Sequence, residues 1–114
     1  MEHAYLFFLF AVKGAPTLDE QGVVSETSMS LNLTWIMYQH GNHPPVTVYT
    51  YYKTWNESEW IPFGEQSTES NGQFMFEYIC CLQPDTAYDL KLEAVNTRVA
   101  SNVTTYTMKG QTLG

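Results

Sequence analysis

Basic residues are scarce in this chain. It carries five lysine and arginine residues against twelve aspartate and glutamate residues, and its formal net charge is −7. Nucleic acids and anionic membrane surfaces both attract proteins that have a basic face. We therefore expect neither as a direct partner, and a membrane only through a larger parent protein. The acidic balance favours solubility and does not name a partner.

Cysteines are equally few. The only two, Cys80 and Cys81, are adjacent in sequence. A disulfide between neighbours would be strained and would close no useful loop, so no disulfide framework is predicted. Two free thiols are typical of a reducing compartment. Small side chains that fill the core, one thiol buried and one exposed, are favoured over a redox pair.

No hydrophobic run is long enough to span a bilayer. The longest, residues 4–12, is continuously apolar but short. It follows Met1, Glu2 and His3, which lack the positive charge of a secretory signal. The segment 1–15 is interpreted as a signal core, a linker, an extra strand or an appended foreign sequence. Residues 16–114 are predicted to form one domain, because 114 residues suffice for a single core.

Alternating polar and apolar residues are plentiful. In residues 86–95, Tyr88 and the apolar side chains that follow it fall on one face, and Asp89, Lys91 and Glu93 fall on the other. This alternation is typical of an antiparallel sheet with one buried face. Pro84 marks a turn just before it, and the Tyr88 hydroxyl is placed to bond back to that turn as a tyrosine corner.

Similar patterns predict strands at residues 29–35, 46–53, 60–63, 74–79 and 103–108, after a weak first strand. Residues 22–26 are predicted to separate the first two strands, and residues 64–72 to form a polar loop. Turn signals recur about every ten residues, which is typical of a β-sandwich. No internal repeat or helical period is present.

Three Asn-x-Ser/Thr sequons begin at Asn32, Asn56 and Asn102. They make these asparagines candidate N-glycosylation sites and favour a secreted or cell-surface location. Asn32 and Thr34 alternate with the apolar residues of their strand, so both are expected to face outwards.

Four motifs occur in order between about Pro16 and Thr112: Leu31-x-Leu33-x-Trp35, Pro45-Val46-x-x-Tyr49-x-Tyr51, Leu82-x-Pro84-x-Thr86-x-Tyr88 and Ala94-x-Asn96. In this order and spacing they resemble a fibronectin type III domain. The resemblance implies an all-β fold, a seven-stranded Greek-key β-sandwich with a three-stranded and a four-stranded sheet. Structural roles would fall to Trp35, Leu82, Pro84 and Tyr88. Cys80 and Cys81 depart from the pattern, which usually has a glycine there.

The same resemblance implies a non-catalytic module without cofactor, metal or small-molecule substrate. Its expected role is protein–protein contact within an extracellular receptor or adhesion protein. The alternatives are a structural spacer, an intracellular scaffold module that would suit the free thiols, or a domain appended to a carbohydrate-active enzyme.

Partner contacts are predicted from residue types that are enriched at interface hot spots. The candidates are Arg98, Trp60, Trp55 and Tyr38. His40 and His43 share a loop, but no third ligand lies nearby in sequence, so a solvated loop is favoured over a metal site. No motif of a catalytic nucleophile or phosphate loop occurs.

Residues 74–79 pose a problem of register. Counting back from Leu82 places Glu77 in the core and exposes Phe74, Phe76 and Tyr78. Both the burial of a carboxylate and the exposure of three aromatic rings cost free energy. The favoured interpretation is a bulge near Cys80 and Cys81 that returns the aromatic rings to the core. The alternative is a real aromatic surface patch.

Overall fold

Seven strands are arranged in two antiparallel sheets in the computed structural model, which describes residues 16–39, 45–68, 70–96 and 103–114. Within those ranges there is no helix, and so none long and apolar enough to cross a membrane. The strands are β1 (Thr17–Glu26), β2 (Leu31–Tyr38), β3 (Val46–Thr54), β4 (Ile61–Thr68), β5 (Gln73–Ile79), β6 (Ala87–Asn96) and β7 (Val103–Gln111).

The two sheets have three and four strands. Their orders are β1-β2-β5 and β4-β3-β6-β7, and every neighbouring pair is antiparallel. The prediction of seven strands in two antiparallel sheets is therefore confirmed. Strands β1, β5, β4 and β7 are the edges of the two sheets.

Inward-facing side chains of both sheets form the core. On β6, Tyr88, Leu90, Leu92 and Ala94 are all buried while the residues between them are half-buried. On β2, Trp35 is 1% exposed and lies opposite Met75 of β5. This is the period-two burial that a sheet with one dry face requires.

Two edge strands, β1 and β4, extend through residues that the sequence predicts to be a turn or a loop. Residues 22–26 continue β1 instead of ending it, because register shifts after Asp19 and after Val23 absorb extra residues. Strand β4 extends to Thr68 through residues predicted to be a loop. It is an edge strand whose side chains need not reach the core, and Ser67 bonds to Thr47 Oγ1 at 2.7 Å. The polar residues of β4 therefore do not end the strand.

Hydrogen bonds close one end of the sandwich around the turn before β6. The Tyr88 hydroxyl accepts a hydrogen bond from the Gln83 N–H at 2.8 Å. Thr112 Oγ1 donates to the Gln83 carbonyl at 2.6 Å and accepts from the Thr86 N–H at 3.0 Å. Leu82 is buried and Pro84 is exposed. The turn is thus fixed both by the following strand and by Thr112, the residue after β7.

The favoured interpretation of residues 74–79 is wrong. Strand β5 pairs with β2 without a register shift, from Met37 opposite Gln73 to Leu31 opposite Ile79. Because the pairing is continuous, the side chains of Phe74, Phe76 and Tyr78 stay on the outer face.

Glu77 consequently turns inwards, but it is only half-buried. Gln66 Nε2 donates to Glu77 Oε1 at 3.1 Å, and Gly64 on β4 leaves space for the carboxylate. A Cβ at Gly64 would lie 3.1 Å from that oxygen. The edge position and these contacts lower the free-energy cost of turning the Glu77 carboxylate inwards, which is the cost that made this register look unfavourable.

Candidate interaction surfaces

The outer face of the four-stranded sheet carries every lysine in the part of the chain that the structure describes. Cross-strand register aligns them with partners: Lys53 lies opposite Asp89, and Asp89 lies opposite Lys109. In the next row, Tyr51 lies opposite Lys91. The sheet therefore places charged and aromatic side chains that are far apart in sequence in two adjacent rows on one face.

Trp60, just before β4, connects the two rows. The Lys53 ammonium lies 5.1 Å and the Lys91 ammonium 5.0 Å from the centre of its ring, and Lys91 also lies 4.4 Å from the Tyr51 ring. Cations at these distances are attracted to the negative face of an aromatic ring. We call Tyr51, Trp60, Lys53, Lys91, Asp89 and Lys109 the lysine–aromatic ladder.

Asp89 is the anionic centre of the ladder. Its carboxylate accepts hydrogen bonds from Lys109 Nζ at 2.7 Å and Lys53 Nζ at 3.0 Å. The bond to Lys109 and then that to Lys53 hold the pKa of the Asp89 carboxyl below its usual value. Lys53 is mostly buried, whereas Lys109 is 83% exposed. Lys109 is consequently the cation most open to an outside group.

Tyr51 lies at the other end of the ladder. Burial raises the pKa of its phenol, and a hydrogen bond with Glu93 raises it further. The hydroxyl stays protonated at neutral pH and remains a polar contact point beside the lysine.

A shallow surface pocket of about 310 Å³ opens on this face. It is lined by Lys53, Trp60, Asp89, Thr107, Met108 and Lys109. The tryptophan ring and the methionine thioether belong to residue types enriched in protein–protein contacts, while the ion-paired lysines and aspartate beside them are typical of the polar rim of such a contact. In the described residues, no three His, Cys, Asp or Glu side chains converge to hold a metal ion.

The predicted contact residues do not form one site. Trp60 belongs to the ladder, while Trp55 lies in the turn between β3 and β4 and is 66% exposed. Tyr38 ends β2 in the other sheet, where it is half-buried. Arg98 lies outside the described residues, as do His40 and His43. Sequence reasoning missed the three lysines, although their place on the polar side of alternating strands was a usable signal.

A second surface lies on the outer side of the three-stranded sheet. Phe74, Phe76 and Tyr78 of the edge strand β5 are 60%, 59% and 54% exposed. We call these three residues the aromatic row. They lie opposite Ile36, Thr34 and Asn32 of β2, respectively. Three aromatic side chains that are this accessible in one row form a candidate interaction surface.

The sequons lie in different settings. Asn32 is on β2 and half-buried, with Thr34 beside it on the same outer face. Asn56 is exposed in the turn after β3, where its Oδ1 accepts a hydrogen bond from Thr54 Oγ1 at 2.9 Å. Asn102 lies outside the described residues.

The two thiols lie side by side in the connection after β5. Their sulfur atoms are 2.8 Å apart, with Cys80 half-buried and Cys81 exposed. The hydrogen bond with Cys80 is the main cause that raises the pKa of the Cys81 thiol. Cys81 has φ 69°, a left-handed conformation that glycine adopts without strain.

Comparison with known proteins gives one relative by sequence. No family model matches the chain. Over 87 residues, 76% of its length, the chain is 30% identical to a Xenopus laevis protein described as "Cell adhesion molecule-related/down-regulated by oncogenes". The chain spans only 7% of that protein's length.

Solved structures are similar in fold. The sensor domain of the anti-sigma factor RsgI4 of Pseudobacteroides cellulosolvens superposes with a TM-score of 0.63 at 13% identity, covering 87% of this chain and 93% of that one. A computationally redesigned β-sandwich protein gives a TM-score of 0.59 at 14% identity, with 85% and 94% covered. The chain is therefore a β-sandwich with sequence similarity to a short stretch of an adhesion-related protein.

Proposed function

We propose that the chain is a non-catalytic, fibronectin type III-like module that makes protein–protein contacts within a larger extracellular or cell-surface protein. The strand orders 1-2-5 and 4-3-6-7 are those that this family implies, and the Tyr88 hydroxyl bonds back to the turn at Gln83. The similarity to an adhesion-related protein supports the same role. Greek-key connection of the strands is part of this proposal.

The observation that carries the contact role is the lysine–aromatic ladder. It gathers Trp60, Tyr51 and three lysines on one face of a chain whose net charge is −7. An aromatic centre flanked by cations suits a partner surface that has an exposed acidic side chain beside an apolar one. Lys109, which is 83% exposed, is the side chain placed to meet that acid.

The test is binding of fluorescent tetramers of the chain to vertebrate cells, measured by flow cytometry. Trp60→Ala is expected to weaken binding at least about tenfold, because central aromatic residues dominate interface energy. Trp55→Ala is the matched control, since Trp55 is exposed but lies outside the ladder. If Trp60→Ala and the unchanged chain are both correctly folded and bind equally well, the lysine–aromatic ladder is not part of the contact surface.

A structural spacer is the second candidate. The observation that favours it is the internal pairing of Lys53 and Lys109 with Asp89, which satisfies part of the ladder without a partner. In that case, tetramers bind no cell type and ladder substitutions change stability alone. An intracellular scaffold, suggested by the free thiols, predicts in addition that the secreted chain gains no N-glycan at Asn32, Asn56 or Asn102.

A further inference from the structure

We propose that Phe76 and Tyr78 form a stacking platform for an N-linked glycan attached to Asn32. This inference rests on the proposed extracellular location, since N-glycosylation occurs in the secretory pathway. It assigns a covalent occupant to the part of the aromatic row that lies beside a sequon.

Strand register places the attachment site beside the rings. Asn32 lies directly opposite Tyr78, and Thr34, the other required residue of the sequon, lies directly opposite Phe76. Side chains opposite one another in an antiparallel pair have Cβ atoms roughly 4.5–5.5 Å apart. The first sugar of a glycan on Asn32 would therefore emerge within contact distance of the Tyr78 ring, with Phe76 diagonally beside it.

The rings have the right accessibility and chemistry for a sugar. Phe76 and Tyr78 are 59% and 54% exposed, and their pairing with β2 has no register shift that would turn them inwards. The apolar face of N-acetylglucosamine presents C–H groups, which pack against the negative face of an aromatic ring. A covalently attached sugar would cover this apolar area without a second protein.

The Asn32 side chain is not held away by another contact that the structure shows. Its Oδ1 is buried and has no hydrogen-bond partner among the described residues. The strand position is compatible with attachment, because the oligosaccharide is transferred to the chain before the sheet forms. Leu33, between the two sequon positions, is fully buried and fixes their outward orientation.

Phe74 provides a matched control within the same row. It is 60% exposed but lies opposite Ile36, four residues from Tyr78 along β5. At about 3.4 Å per residue, that places it roughly 14 Å from the ring nearest the attachment site, beyond the first sugar. A general effect of exposed aromatic residues would depend equally on all three rings, whereas a platform depends on two.

The experiment isolates the Asn32 glycan. A chain carrying Asn56→Gln and Asn102→Gln is produced both by secretion from eukaryotic cells and in bacteria, so that the two samples differ only in the glycan. Site occupancy is measured by peptide mapping, and thermal unfolding is measured for both samples. The comparison is repeated with Phe76→Thr/Tyr78→Thr and with Phe74→Thr, because threonine suits an exposed strand position.

The glycan is expected to raise Tm by about 4–8 °C, as an aromatic contact of this kind would in a domain of this size. The increase should be lost in Phe76→Thr/Tyr78→Thr and kept in Phe74→Thr. Nuclear Overhauser contacts between the first sugar and the two rings give a readout that is independent of stability.

Two results would overturn the platform and leave the extracellular module standing. One is an unoccupied Asn32 in secreted chains whose Asn56 is glycosylated when its sequon is intact. The other is an occupied Asn32 whose effect on Tm is the same with and without the two rings. Absence of glycan at every sequon of the secreted, unmutated chain would overturn both proposals.

Discussion

The hydroxyl of Thr50 is buried in the core without a hydrogen-bond partner among the described residues. Removing an unsatisfied polar group while keeping the shape of the side chain should stabilise the fold. Thr50→Val is expected to raise the free energy of unfolding by about 1 kcal/mol, measured by urea denaturation.

Thr47 on the same strand is the control for that substitution. It is equally buried, but its Oγ1 is hydrogen-bonded to Ser67 at 2.7 Å. Thr47→Val should therefore destabilise the protein. If both substitutions change stability in the same direction, the unsatisfied hydroxyl is not the cause.

Asp89 gives a prediction about pH. Its pKa is lowered in the folded protein by Lys109 and Lys53, so folding is favoured above the ordinary aspartate pKa and the advantage is lost as pH falls through the lowered value. Asp89→Asn should accordingly be less stable than the unchanged protein at pH 7, and the difference should shrink below about pH 5.

Chemical denaturation at pH 7, 5 and 3 measures that difference. Glu65→Gln, at an exposed position of β4, removes one negative charge outside the ladder and serves as the control. A difference for Asp89→Asn that stays constant over this range would show that the ion pairs do not contribute as described.

The burial of single residues can be predicted from the sequence, whereas contacts between residues of different strands cannot. The burial of Trp35 and Tyr88 follows from period-two alternation, which is local. The alignment of Lys53, Asp89 and Lys109 depends on the register of three strands that are distant in sequence. Local alternation shows only that each lysine lies on a polar face, and it does not contain the register between strands, so the ladder was not predicted beyond Trp60.

At the scale of elements, the residue that follows β7 supports the turn before β6. Thr112 is 1% exposed, and its hydroxyl bonds to the backbone of both Gln83 and Thr86. Thr112→Val leaves these two groups without that partner and is expected to cost about 1–3 kcal/mol of unfolding free energy.

Thr112→Ser keeps the hydroxyl and should lose less stability, which equilibrium denaturation of the two variants will show. Equal losses would mean that packing of the methyl group, not hydrogen bonding, makes Thr112 important.

Strand boundaries were predicted well for β3, β5 and β6 and poorly for β1 and β4. Strands β3 and β6 were expected at residues 46–53 and 86–95 and occur at Val46–Thr54 and Ala87–Asn96. In contrast, β1 and β4 are edge strands whose polar residues resembled turns. For β5 the error concerned which side chains face the core. Its edge position lets Glu77 turn inwards beside Gln66 while three aromatic rings stay outside.

At the scale of the whole molecule, each sheet presents a different outer surface. The four-stranded sheet carries the lysine–aromatic ladder, and the three-stranded sheet carries the aromatic row beside Asn32. If the row is covered by a glycan, the face left for a protein partner is the ladder. The two proposals are therefore compatible, and each can be overturned by a measurement that leaves the other standing.

The two ends of the domain lie at opposite poles of the sandwich. The Pro16 carbonyl accepts a hydrogen bond from Thr104 near the start of β7, whereas the Leu113 N–H donates to Thr27 beyond the end of β1. The length of β7 separates these points by about 30 Å. Tension applied through these two points would run parallel to the strands. The backbone hydrogen bonds between neighbouring strands would then be loaded in shear together instead of opening one at a time.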